Sequence, residues 1–299
     1  DLSRFSEEEI AYGMVDGKLY SSLPSFLDTQ LVYYNKAIFR EHGLDVPNNW
    51  DEFVAILDTL KEAGITPIAM PGRSEWSRSW IVYAVQSAFA NEALKGVLAG
   101  ERKLTDPAIA QAFQIVRDFA DAGYFGKDFI ANDTAAAQFA FTNGSAAMIV
   151  DGTWNNPTYS ESGIELGRFV IPNKEGRRIA AASYSNFMTY AISARSEHKD
   201  AAVKYIEFLN SLEAQQIMED VNGLVPTIKD IVPRDEEVKE LAAFDETGPA
   251  VYSVMSELAS EQSNTADIMM KEVIPMLLTS EITGEQAAQR LHETATYPE

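Results

Sequence analysis

The apolar residues of this chain switch again and again between helical spacing and short continuous runs. That alternation confines it to a mixed α/β architecture. Asn49 precedes Trp50 and is followed three residues on by Glu52, close to a capping box. Phe53, Ile56, Leu57 and Leu60 then recur at helical spacing up to Gly64, which predicts a helix. An apolar stretch over 65–70, punctuated by Pro67, predicts a strand. Asp106 before Pro107 reads as a cap with proline at the first helical position. Ile109, Phe113, Val116 and Ala120 line one face of that helix, and Gly123 closes it. The continuous apolar run 146–150 has strand length and suits a strand buried on both faces. The runs 169–171 and 187–192 look similar, and Ser196 is expected to cap a helix carrying Ala202, Tyr205, Ile206 and Leu209. Helices alternating with buried strands imply a largely parallel sheet.

A chain of 299 residues suits two domains or one elaborate α/β domain. The charge-rich, proline-interrupted stretch 230–245 is expected to cross between domains or lie on the surface. The formal charge is −21, from 45 acidic and 24 basic residues. Such a surface repels phosphate backbones and anionic headgroups, which speaks against nucleic-acid and membrane-surface binding. The absence of cysteine excludes disulfides, thiolate catalysis and Cys-based metal sites. No apolar run approaches the roughly 20 residues of a membrane span.

Catalytic constellations are scarce. His42, His198 and His292 have no second ligand at metal spacing and are expected to face solvent. No P-loop, G-x-G-x-x-G or G-x-S-x-G follows a strand, and neither a metal nor an organic cofactor is expected. A glycosidase needs only two carboxylates, so it stays open as an alternative. The aromatic residues say more. Trp76 and Trp80 lie beside Arg73, Glu75 and Arg78 just after the 65–70 strand, and Trp154 follows the 146–150 strand in the string Asp151-Gly152-Thr153-Trp154-Asn155-Asn156. Ligands of open α/β sheets sit outside the carboxyl ends of the strands, where both clusters fall. An indole can cover the C–H face of a sugar while carboxylates, amides and guanidinium groups take its hydroxyls. Packing competes with this reading for each tryptophan, and Trp50, inside a capped helix, is expected to pack.

Several ordered motifs resemble extracellular solute-binding proteins of the maltose-binding type. They are Asp16-Gly17-Lys18-Leu19-Tyr20, Leu23-Pro24, Leu31-Val32-Tyr33-Tyr34-Asn35-Lys36 and Phe39, then Gly43-Leu44-Asp45, Pro47 and Asn49-Trp50-Asp51-Glu52-Phe53. Ala146-Ala147-Met148, Gly152-Thr153-Trp154, the helix from Asp200 to Leu209, Glu213-Ala214-Gln215-Gln216 and Asn222-Gly223-Leu224-Val225-Pro226 follow in the same order. The resemblance implies two α/β lobes closing on a sugar, a type II periplasmic-binding-protein-like fold. One lobe would hold 1–31 and 183–231, the other 32–182 and 232–299. Residues 20–24 would form a strand of the first lobe, 31–35 the crossing into the second, and 187–192 the return. The implied function is an extracytoplasmic carbohydrate receptor, in the periplasm or lipid-anchored at the cell surface, that delivers a mono- or oligosaccharide to the transmembrane subunits of an ABC importer and is not an enzyme. The expected ligand-binding residues are Trp154, Trp76, Glu75, Arg73, Asp28, Asp151, Asn155, Tyr184 and Asn186. Members of this family carry a further βαβαβ stretch ahead of the segment that opens here, so the first lobe is expected to be incomplete. Apolar surface left uncovered there would favour self-association. A truncated receptor serving only as an interaction protein is a further alternative.

Overall fold

The computed structural model describes residues 2–184, 189–228, 230–233 and 244–298. Near the amino terminus, Ser6 caps the helix Glu7–Tyr12 in a full capping box with Glu9. A hairpin follows, pairing β1 (Met14–Val15) with β2 (Lys18–Leu19). Its two turn residues, Asp16 and Gly17, both have positive φ, at 48° and 72°, as a tight hairpin turn matching the strand twist requires. Residues 20–24, expected as a strand, lie outside any strand. The ladder closes before them through the Asp-Gly turn, and Pro24 offers no N–H to extend it.

The long strand β3 (Phe26–Asn35) pairs antiparallel with β5 (Ala146–Gly152) through Gln30↔Gly152 to Tyr34↔Met148. It also pairs antiparallel with β6 (Leu166–Phe169), and its first residues meet β8 (Val225–Pro226). Among the pairings described, β4 (Thr66–Ala69) with β5, and β7 (Ile179–Tyr184) with β9 (Glu246–Pro249), run parallel. The sheet order is β4-β5-β3-β7-β9. The expectation of a largely parallel sheet is therefore corrected. Burial on both faces makes a strand apolar throughout, and that pattern does not encode its direction.

Two compact units divide the chain. The first contains Asp1–Asp28, Thr153–Pro157 and Ser183–Ala242, and the second Thr29–Gly152, Thr158–Ala182 and Ala243–Glu299. The crossing in β3 thus falls three residues earlier than the 31/32 boundary expected from sequence, and the short excursion Thr153–Pro157 was not anticipated. Part of the expected return strand 187–192 lies outside the described residues, and 189–192 carries no strand. Tyr190 nevertheless exchanges two bonds with Ser22: Ser22 N–H donates to the Tyr190 carbonyl and Tyr190 N–H to Ser22 Oγ, both at 2.8 Å.

In the second unit, the helix Trp80–Leu98 buries residues all round its circumference, as a helix at the centre of a core does. Trp50 packs between Phe89 (4.7 Å) and Phe119 (5.6 Å, nearly parallel). Asp106 caps Pro107–Asp121 through Ala108 N–H, and Asn49 caps Trp50–Glu62 through Glu52 N–H. The helix expected to start at Ser196 begins later, at Lys199, with Ser196 Oγ accepting from His198 N–H. His292 does not face solvent freely: its Nδ1 lies 2.6 Å from Tyr297 Oη. The first unit has a smaller core of Phe26, Leu224, Ile228 and Ile231, flanked by Phe5 and Met218. Among the described residues, no helix is long and apolar enough to cross a membrane.

Candidate functional site

In the second unit, the loop after β4 presents the first aromatic cluster. Its shape follows from backbone bonds to the segment 129–134: Gly72 N–H donates to the Phe129 carbonyl and Arg73 N–H to that of Asn132. A Cβ at Gly72 would stand 2.7 Å from both Ile130 Cα and the Phe129 carbonyl oxygen, so only glycine allows this approach. Ser74 Oγ accepts from Thr134 N–H at 2.9 Å, and the Ser77 and Thr134 hydroxyls meet at 2.7 Å. The loop is pinned at four points before any ligand is considered.

On this base Trp76 is 49% exposed, which is unusual for a residue of its size. Its ring centroid lies 4.9 Å from Tyr252 and 6.3 Å from Trp80. Trp80 in turn meets Tyr83 edge-on at 5.4 Å. The cations around this plate are already engaged. Arg73 pairs with Asp133 at 2.6 Å, and Lys271 with Asp267 at 2.8 Å. Arg78 Nη2 donates to the Met270 carbonyl at 2.6 Å. Met270 lies in the π-helical turn Met269–Val273, where the widened backbone ladder changes which carbonyls are available to such a donor. Asp133 also caps Thr134–Thr142, and the Ala136 N–H and Arg73 together hold its carboxyl below the usual range. The Asp267 hydrogen bond raises the Lys271 ammonium above its ordinary value, and burial lowers the Arg78 guanidinium.

Arg73, Glu75 and Trp76 are therefore brought together in one loop of the second unit. Asp151 also belongs to that unit but is only 2% exposed; its Oδ2 accepts from Tyr159 Oη at 2.6 Å and its Oδ1 from Gly152 N–H at 2.8 Å. Trp154 and Asn155 belong to the first unit, half-buried in the 3₁₀ turn Thr153–Asn155. Asp28, at the carboxyl end of the first segment of that unit, is 6% exposed, and its charge adds to the upward shift that burial imposes on the Tyr12 hydroxyl. Tyr184 is the last residue of β7, and Asn186 lies outside the described residues. Tyr252, Asp133, Asp267 and Lys271 escaped the sequence reading. Tyr252 sits more than 170 positions after Trp76, within the short helix Val251–Glu257, with no motif around it.

A concavity of about 570 Å³ lies where Pro107–Asp121 meets Gly284–His292. It is lined by Gln111, Gln114, Glu285 and Gln289, with no aromatic plate.

A family model for bacterial extracellular solute-binding proteins matches residues 2–246. The chain is 29% identical over 226 residues to a multiple sugar-binding protein of Streptococcus mutans, covering 73% of this chain and 53% of the relative. It is 23% identical to the sn-glycerol-3-phosphate-binding periplasmic protein of Rhizobium meliloti, covering 99% of this chain and 70% of that one. The chain spans about half the length of the first of these relatives. Among solved structures it resembles a chitin oligosaccharide binding protein, with a TM-score of 0.79 and 26% identity over 95% of this chain and 73% of the other. A raffinose complex of another solute-binding protein shares the fold at a TM-score of 0.76 and 21% identity, over 98% and 77%. With this two-lobed α/β fold and a match over most of its length, the chain belongs to the bacterial extracellular solute-binding proteins.

Proposed function

We propose that this chain is the carbohydrate-binding part of an extracytoplasmic receptor, periplasmic or anchored at the cell surface, that hands a neutral sugar to an ABC importer. The observation that carries the reading is the half-exposed Trp76 ring backed by Tyr252 at 4.9 Å, with the ion-paired Arg73 and Lys271 in the same patch. A pyranose offers an apolar face to such a plate and hydroxyls to its rim. The names of the relatives leave two chemistries open, sugar and sn-glycerol 3-phosphate. The charge state of the patch favours the first. Recognition of a phosphate dianion needs cations free to pair with it. Here Arg73 and Lys271 each hold a carboxylate, and Arg78 is turned onto a backbone carbonyl. The net charge of −21 opposes an anionic ligand further.

Trp154 and Asn155, on their short turn, and Asp28, Tyr184 and Asn186 remain the further proposed contacts. The test is a thermal-shift screen with raffinose, stachyose, chitin oligosaccharide, maltose and glycerol 3-phosphate. A ligand that binds only the folded form raises its stability with concentration. A shift with glycerol 3-phosphate and none with any sugar would overturn the assignment.

A further inference from the structure

Two buried side chains with no evident part in stacking a sugar meet at the base of the turn that carries Trp154. Asp151 is 2% exposed and Tyr159 is fully buried. The Tyr159 hydroxyl donates to Asp151 Oδ2 at 2.6 Å, and Asp151 Oδ1 accepts from Gly152 N–H at 2.8 Å. From β3, the Tyr33 hydroxyl donates to the Gly152 carbonyl at 3.2 Å. The two tyrosine rings lie 4.7 Å apart, and Phe141 closes on Tyr159 edge-on at 5.4 Å. Burial, reinforced by the Asp151 charge, pushes both phenols well above their ordinary value, so both stay protonated and remain donors.

The position of this cluster in the chain gives it a role. The second unit is interrupted only once between Thr29 and Ala182, by Thr153–Pro157, which belong to the first unit. Asp151 stands just before that excursion and Tyr159 just after it. Their hydrogen bond therefore ties the two ends of the loop together, while the Tyr33 and Asp151 bonds fix both peptide groups of Gly152, the last residue before the turn. A carboxylate among aromatic rings is unfavourable unless every such bond is made, and an apolar pair would fill the same space more cheaply. We propose that the Asp151–Tyr159 hydrogen bond, supported by Tyr33, is a clamp that holds the Thr153–Asn155 turn in one backbone conformation, which makes Asp151 and Tyr159 positioning residues for Trp154. The clamp rests on the proposed sugar contact of Trp154 only for its effect on affinity.

Tyr159→Phe keeps the ring packing and removes the donor. In the full chain without ligand, amide hydrogen exchange over 152–158 is expected to rise about tenfold or more, the size of losing one bond to a charged group in a locally opening segment. Titration with whichever of raffinose, stachyose or chitin oligosaccharide gives the largest wild-type thermal shift should show affinity lowered roughly threefold to tenfold. In a Trp154→Ala background the same substitution should leave affinity unchanged, which a general loss of stability would not do. Unchanged exchange in a folded Tyr159→Phe protein overturns the clamp. So does an affinity loss of equal size in the Trp154→Ala background, whereas faster exchange with unaltered affinity supports the clamp and overturns the sugar contact of Trp154. Should none of the sugars bind the wild type, the proposed function fails, and the exchange measurement alone decides the clamp. If Tyr159→Phe does not fold, Tyr33→Phe takes its place: a smaller rise confined to the same residues supports the clamp, and no rise overturns it.

Discussion

The residues expected from sequence to meet a sugar differ widely in exposure. Trp76 presents half its surface and Trp154 is half-buried, whereas Asp151 and Asp28 are almost wholly covered. Trp76→Ala is expected to weaken sugar binding by about 1–3 kcal/mol, the range for losing a large apolar contact. Its neighbours Trp80 and Tyr252 pack mainly on protein, so the fold should survive and the melting temperature fall little. Isothermal titration checks this, and an affinity equal to wild type would assign Trp76 to packing alone. Arg73→Met offers a second residue-scale test. It frees Asp133, whose carboxyl should then titrate closer to its ordinary value, though the helix-capping bond from Ala136 still holds it down. Proton NMR of Asp133 measures the change, and an unmoved pKa would mean the ion pair exerts no influence in solution.

Packed helices and strand ends carry the stability. Gly284 opens the helix Gly284–His292 where it runs closest to Pro107–Asp121, and a Cβ there would stand 2.2 Å from the Ala110 carbonyl oxygen and 2.6 Å from Gln114 N. Both obstacles are backbone and cannot swing aside. Gly284→Ala is expected to destabilise by about 1–3 kcal/mol through overpacking, despite the better helix propensity of alanine. Urea unfolding measures it, and a neutral result would mean the helices separate freely. At the start of β9, Glu246 joins the sheet to the helix Trp80–Leu98. Its carboxylate accepts from Lys95 and Asn91, which with Arg177 lower its pKa from the ordinary 4.5. A folded-state pKa below the unfolded one contributes stability at pH values above 4.5 that is lost as pH falls through the folded value. Glu246→Gln should therefore destabilise by about 0.5 kcal/mol near neutrality, as expected for a partly exposed pair, and the difference should vanish in acid. Equal differences at pH 7 and pH 3 would refute the linkage.

At the scale of the whole molecule, most of the exposed large apolar side chains among the described residues belong to the first unit. Its helices Lys199–Leu209 and Leu212–Asn222 leave Val203, Tyr205, Phe208, Leu212, Ile217 and Val221 exposed, and the first of them buries only Leu209. Apolar faces of this extent on a helix pair are normally covered. The 299-residue chain by itself is expected to self-associate, held back at low ionic strength by its charge of −21 and more strongly associated as salt screens it. Sedimentation velocity at low and high salt tests this. Replacing Tyr205 and Ile217 by serine should restore the monomer with little effect on melting, whereas a monomer at every wild-type concentration would contradict the prediction.

What could be read from residues in order was the local chemistry. Asn49, Asp106 and Gly123 marked helix ends because caps and positive-φ closures are decided within four residues. The run 146–150 marked a strand, and the two tryptophan clusters at strand ends marked candidate plates. Strand direction, the pairing of β3 with β5 and β6, and the Trp76–Tyr252 contact depend on residues far apart in the chain, and no local pattern encodes them. The helix Trp80–Leu98 was equally illegible, since a helix buried all round has no polar face to reveal its period. The same holds for Asp151. Its place in the string Asp151-Gly152-Thr153-Trp154 marked it as a candidate, whereas its burial and its hydrogen bond with Tyr159 are visible only in three dimensions. Sequence alone determined which residue types stand at each strand end; tertiary structure decided which of them face outward, because burial is set by what packs above a residue and not by its neighbours in the chain.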